Sequence, residues 1–117
     1  MDKPIPLTDN TKPWGGYKRY TLNEPTTIKL LWINKGTRFS LQTHAQRDEL
    51  WVILKGNPTI TLGDEIIHAK PRDEIWSPRG TKHRMEAHEE DVEFLEISFG
   101  TFDEDDITRL DDDFGRA

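Results

Sequence analysis

The chain has 117 residues, no cysteine and a formal net charge of −6. That length holds one core but not two, disulfide and thiol chemistry are excluded, and no apolar run approaches the ~18 residues of a membrane span. The acidic excess is local: Asp103 to Ala117 carries seven acidic and two basic residues, leaving 15 acidic and 14 basic in the body, so no basic face for nucleic acid stands out.

Residues 1–13 contain three prolines and few apolar side chains and read as an extended arm. Met1-Asp2-Lys3-Pro4 lacks the charged-then-apolar layout of a signal peptide, and with no cysteine the expected location is the cytoplasm. Trp14 and Tyr17 follow a Pro13 turn as aromatic anchors for one end of a barrel. Short strands with turn signals between them come next: Ile28–Ile33, Arg38–His44, Glu49–Leu54, Thr59–Leu62 and Glu65–His68 around a Gly63-Asp64 hairpin turn, Glu74–Trp76, Lys82–Ala87 and Val92–Phe99. About eight strands at this spacing predict an all-β double-sheet jelly roll in a single domain over 1–117, ending in an acidic, solvated segment at 103–117.

Side chains two apart on a strand share a face, so Arg38, Ser40, Gln42 and His44 are expected to point one way and Phe39, Leu41 and Thr43 the other. Glu49 opens a run that is apolar on both faces, where a bare carboxylate needs a partner. A cation held with Gln42 and His44 would serve; so would Arg47 or Arg38. His83 follows the tight turn Pro78-Arg79-Gly80, which would deliver it back across the barrel. Glu96 shares a strand face with Phe94 and Ser98, where burial would raise its pKa; pairing with Arg84 is the alternative. His68 and His88 read as surface residues. Trp32, Leu50 or Leu54 would offer an outer face to a second copy, and a homodimer is expected.

The combination G-x5-Q-x-H-x4-E-x6-G, from Gly36 to Gly56, followed by P-x-G-x2-H at 78–83 resembles the cupin superfamily, with Gln42 where the first motif has His. The variant Ser40-Leu41-Gln42-x-His44-x2-Arg47-x-Glu49-x-Trp51 is similar to the type II phosphomannose isomerase group. The likeness extends from the Pro13-Trp14-Gly15 segment to an acidic turn, an Ile107-x-Arg109 step and an ending in which Phe114 replaces Tyr. Arg72 and Ala87 depart from the second cupin motif.

The resemblance implies one divalent metal on Gln42, His44, Glu49 and His83. Ligands of this kind without thiolate suit Zn²⁺, Mn²⁺, Fe²⁺, Co²⁺ or Ni²⁺. It also implies a sugar phosphate as ligand and an aldose–ketose isomerase interconverting mannose 6-phosphate and fructose 6-phosphate through a cis-enediolate. Arg109, Glu96 and Lys82 are the expected catalytic side chains, with the base left open between Lys82, Glu96 and a metal-bound hydroxide. Arg38, Ser40 and Arg47 are expected to bind substrate, Arg38 through a forked contact to phosphate. A sugar- or anion-binding module without catalysis is the alternative; a metal-dependent oxygenase fits less well, because Gln42 departs from a His-rich ligand set.

Overall fold

Alternating apolar and polar residues put most of the chain into strands. The computed structural model describes residues 1–117 and contains eleven strands: β1 (Leu7–Lys12), β2 (Gly15–Arg19), β3 (Thr26–Ile33), β4 (Leu41–Thr43), β5 (Arg47–Lys55), β6 (Thr59–Leu62), β7 (Glu65–His68), β8 (Glu74–Ser77), β9 (His83–Glu86), β10 (Val92–Gly100) and β11 (Thr108–Asp111). Every pairing is antiparallel. A four-stranded sheet, β3-β10-β5-β8, faces a five-stranded sheet, β11-β4-β9-β6-β7, while β1 and β2 form a separate hairpin. This is the expected all-β jelly roll.

The main core lies between the sheets and includes Trp51, Ile53, Ile60, Ile75, Met85, Val92 and Phe94. On β5 Leu50 points away from that core into a second cluster, where it joins Ile97 and Phe99 beneath Tyr20 and Trp76. That second layer is why this strand is apolar on both faces, and it removes Leu50 from the outer face expected to meet a second copy. Trp32 and Leu54 remain exposed there.

Three expectations change. Residues 38–44 are not one regular strand, because Arg38 makes only an isolated bridge to Glu86 and regular pairing starts at Leu41. The alternation therefore breaks at Phe39. Its ring packs edge-on against Trp51 and His83, with centroids 6.1 and 6.3 Å away, so it faces the interior instead of turning from it. The N-terminal arm contains a paired hairpin, and Trp14 at its turn is 73% exposed and plugs nothing; the aromatic anchor from this region is Tyr20. The acidic C-terminal segment is not simply solvated, since β11 adds to the five-stranded sheet against β4.

Two turn glycines separate backbone strain from steric crowding. Gly36 has φ +75° with open space around a notional Cβ, whereas at Gly56, φ +87°, that Cβ would meet the Asp91 carbonyl oxygen at 2.8 Å and a Val92 methyl at 2.9 Å. Gly56→Ala is expected to lower the unfolding free energy by about 2–3 kcal/mol, against about 1 kcal/mol for Gly36→Ala. Urea titration of both variants checks this; equal losses would mean that the contact at Gly56 relaxes freely.

Candidate metal centre

The register of the two sheets brings distant residues together. On the five-stranded sheet Gln42 stands opposite both Arg109 and His83. On the four-stranded sheet Glu96 stands between Lys29 and Trp51, and Glu49 lies between Ser98 and Ser77. The Pro78–Gly80 turn is stapled to the first motif: Gly80 N–H donates to the His44 carbonyl at 2.7 Å, and Arg79 donates to Asp48 through its backbone N–H and its guanidinium. With the turn tied to both ends of the His44–Asp48 loop, His83 is delivered beside His44, the ring centroids 5.0 Å apart.

His44, Glu49 and His83 are all buried, and one ligand atom from each lies within 4.8 Å of the others. His44 Nε2 is 3.7 Å from Glu49 Oε2, and His83 Nε2 is 3.7 Å from Glu49 Oε1. Both Nδ1 atoms are engaged elsewhere, His44 donating to the Asp106 carbonyl at 2.7 Å and His83 lying 2.9 Å from Ser77 Oγ. His83 Nε2 is buried without any hydrogen-bond partner, an arrangement that costs stability unless something fills it. Burial pushes the His83 pKa down to about 4 against the pull of the Glu49 charge, so the ring is neutral near pH 7. Two imidazoles with Nδ1 anchored and Nε2 turned toward one carboxylate, that of His83 without any partner, fit a borderline divalent cation.

Two neighbours complete the arrangement. Arg47 Nε donates to Glu49 Oε2 at 2.9 Å and its Nη2 lies 3.4 Å from His44 Nε2, while Trp51 Nε1 donates to Glu49 Oε1 at 3.2 Å. Arg47 thus pairs Glu49 directly, which was the alternative to a cation, and it does so from the edge of the cluster. Gln42 approaches with its amide reversed: Oε1 accepts from Ser40 Oγ at 2.7 Å, and Nε2 lies 3.5 Å from His44 Nε2. Its expected role as an oxygen ligand requires a half-turn of the amide, which Ser40 can follow because a hydroxyl both donates and accepts.

Above the cluster opens a cavity of about 270 Å³ lined by Gln42, His44, Arg47, Glu96, Arg109, Arg116 and Lys29, among others. Depressions of about 440 Å³ at Asn57–Glu90 and beside the N-terminal hairpin are roomier but hold no convergent ligand atoms. Glu96 is buried, and its pKa is raised to about 7 by burial first and by the Glu49 charge second. It does not pair with Arg84, whose guanidinium is taken by the Phe39 carbonyl and Asp111. Of the cavity's cations, Lys29, Arg47 and Arg116 each hold a carboxylate, Glu104, Glu49 and Asp112 in turn. Arg109 has no such pair, and its Nε is buried without a partner.

Two expected site residues lie elsewhere. Arg38 turns outward because Asp113 holds its guanidinium at 2.8 and 3.0 Å. Lys82 is exposed, 3.9 Å from Asp64, because it lies one residue before β9, where alternation sends it opposite to His83. Ser40 is buried and reaches the site only through Gln42. Sequence reading missed Lys29, Arg116 and Phe39 in the lining. For Lys29 an available signal was its position on the same strand face as Leu31.

Comparison with known proteins identifies the family and the fold. A family model described as mannose-6-phosphate isomerase C-terminal matches residues 7–112. The chain is 31% identical over 108 residues to xanthan biosynthesis protein XanB of Xanthomonas campestris pv. campestris, covering 91% of this chain and 23% of that protein. It is 29% identical over 108 residues to mannose-1-phosphate guanylyltransferase ManC of Salmonella typhimurium, covering 91% and 22%. A cupin-2 domain of Rhodospirillum rubrum shares the fold, with TM-score 0.62, 21% identity, and 68% and 53% of the two chains covered.

These findings correct the expected activity. The relatives are named for guanylyl transfer and polysaccharide biosynthesis, and this chain spans about a fifth of their length; a stand-alone interconversion of mannose 6-phosphate and fructose 6-phosphate does not follow from them. What the comparisons do show is that the chain has a cupin fold and, by the match over residues 7–112, belongs to the mannose-6-phosphate isomerase C-terminal family.

Proposed function

We propose that this domain holds one divalent metal on His44, Glu49 and His83, with Gln42 at its edge, and uses the cavity above to bind a hexose phosphate. The observation that carries this reading is the pair of buried Nε2 atoms, each 3.7 Å from a different oxygen of Glu49, one of them without any partner. When bound, the metal would supply Lewis acidity toward the sugar's oxygens. The names of the relatives supply the substrate class: mannose-1-phosphate guanylyltransferases act on phosphorylated hexose.

The chain's own residues divide the remaining work. Glu96, with a pKa near 7, is present in both protonation states at neutral pH, so its carboxyl group can either accept from or donate to a sugar hydroxyl. Arg109, the cavity's unpaired guanidinium, receives the anionic group, because a forked donor matches phosphate. Arg47 holds Glu49 in its orientation through the Nε–Oε2 hydrogen bond of 2.9 Å. Phe39 and Trp51 wall the inner side with apolar surface, which excludes water and strengthens the charges there.

Isothermal titration of the Mn²⁺- or Co²⁺-loaded domain with mannose 1-phosphate and mannose 6-phosphate tests this. Arg109→Ala is expected to weaken binding at least about tenfold, the cost of one charge-assisted contact. Failure of the loaded domain to bind either sugar would defeat the reading.

A further inference from the structure

The acidic segment after β10 is attached to the barrel at points that matter to the metal ligands. Asp106 clamps the loop that carries His44. Its carbonyl accepts from His44 Nδ1 at 2.7 Å, and its two carboxylate oxygens accept from the backbone N–H groups of Ala45 and Gln46, both at 2.9 Å. On either side the segment is tied down by oppositely charged partners from the barrel: Lys29 with Glu104 at 2.6 Å, Arg84 with Asp111 at 3.0 Å, and Arg38 with Asp113 at 2.8 Å. Arg47, the partner of Glu49, also donates to the Asp103 carbonyl at 3.1 Å. The cluster of acids that looked like a solvated tail is a row of anchors.

We propose that residues 103–113 form a strap whose docking sets the affinity of the barrel for its metal, with Asp106 acting as a positioning residue for His44. The inference rests on the reading of His44 as a ligand. The Asp106 carbonyl holds the imidazole proton on Nδ1, which leaves the Nε2 lone pair facing Glu49. With the strap undocked, the ring loses its fixed tautomer and orientation, and the 44–46 loop loses the acceptors of two backbone donors. Binding a metal then carries the cost of ordering all three. Partners of this kind, one step removed from the ion, typically govern metal affinity 10–100-fold. By linkage the effect is mutual, so a bound metal holds the strap down by the same factor by which the docked strap tightens the metal.

The test uses Co²⁺ titrated into the full chain and its variants, followed by calorimetry and the visible cobalt bands. Asp106→Ala is expected to weaken Co²⁺ binding about tenfold, and Asp106→Asn to recover part of the loss, because its side-chain oxygen still accepts one N–H. Imidazole ¹⁵N shifts are expected to report the Nδ1–H form of His44 in the metal-free wild type and a mixture of forms in Asp106→Ala, where loss of the carboxylate clamp on Ala45 and Gln46 lets the retained backbone carbonyl draw away from Nδ1. In the wild type, amide hydrogen exchange over 103–111 is expected to slow when Co²⁺ is added. Should Asp106→Ala bind Co²⁺ as tightly as the wild type, the strap coupling is overturned while the metal centre stands. A wild type that binds no Co²⁺ overturns both. If Asp106→Ala does not fold, unchanged exchange of the strap in wild type with and without Co²⁺ overturns the coupling by itself.

Discussion

Replacing His83 with alanine is expected to leave a folded barrel that loses its divalent metal on dialysis. The fold survives because Glu49 keeps two donors: Arg47 Nε at 2.9 Å and Trp51 Nε1 at 3.2 Å. The substitution also removes the one buried ring nitrogen that has no partner. Metal binding does not survive, because a closed site's total affinity of roughly 10–16 kcal/mol is shared among about four ligands. Loss of one is therefore expected to weaken binding on the order of a hundred- to a thousandfold. His44→Ala is expected to do the same and to free the Asp106 carbonyl as well. Metal content after dialysis against Zn²⁺ or Co²⁺, together with competition against a chelator of known affinity, measures it. Stoichiometric metal retained by His83→Ala at wild-type affinity would show that the ligand set is wrong.

The second large effect is a change in how stability depends on pH in the metal-free protein. Glu96 has an ordinary value of 4.5, raised to about 7 in the fold. Across that window the native chain keeps a proton that the unfolded chain has released, so this residue's contribution to stability falls as pH rises. His83 runs the other way: its ordinary value of 6.5 is lowered to about 4, so the unfolded chain binds a proton that the native chain does not, and its contribution grows as pH climbs from about 4 to 6.5. Each window spans about two and a half pH units, equivalent to about 3 kcal/mol, and in the wild type the two slopes largely cancel. Glu96→Gln removes the falling one. Relative to wild type, the variant is expected to gain about 3 kcal/mol of unfolding free energy between pH 4.5 and 7. Urea unfolding at several pH values with chelator present reads this directly; parallel profiles for variant and wild type would place Glu96 in water rather than in a closed cavity.

Much of the frame was legible along the chain. The strands Thr59–Leu62 and Glu65–His68 fall where the alternation and the Gly63-Asp64 turn put them, because a two-residue turn and period-two patterning are local properties. Glu96 was placed correctly on a face with Phe94 and Ser98 for the same reason. The convergence of His44, Glu49 and His83 was legible from motif spacing rather than from composition. Phe39 and Arg38 were misplaced because regular pairing stops between Arg38 and Leu41, and a break in alternation leaves no mark in a run of polar and apolar residues. The hairpin at β1 and β2 was hidden by its polar composition, since almost none of its residues is buried.

Local order, then, determined which segments of the barrel became strands and where most of its turns fell. Tertiary structure alone decided that Arg109 faces the cavity beside Gln42 while Arg38 leaves it for Asp113, that Leu50 is covered, and that Asp106 clamps the loop bearing His44. The physical reason is distance along the chain. The partners of Arg38 and His44 lie 75 and 62 residues away, and which of many acids each one meets depends on sheet register, a property of the closed barrel and not of any stretch of the sequence.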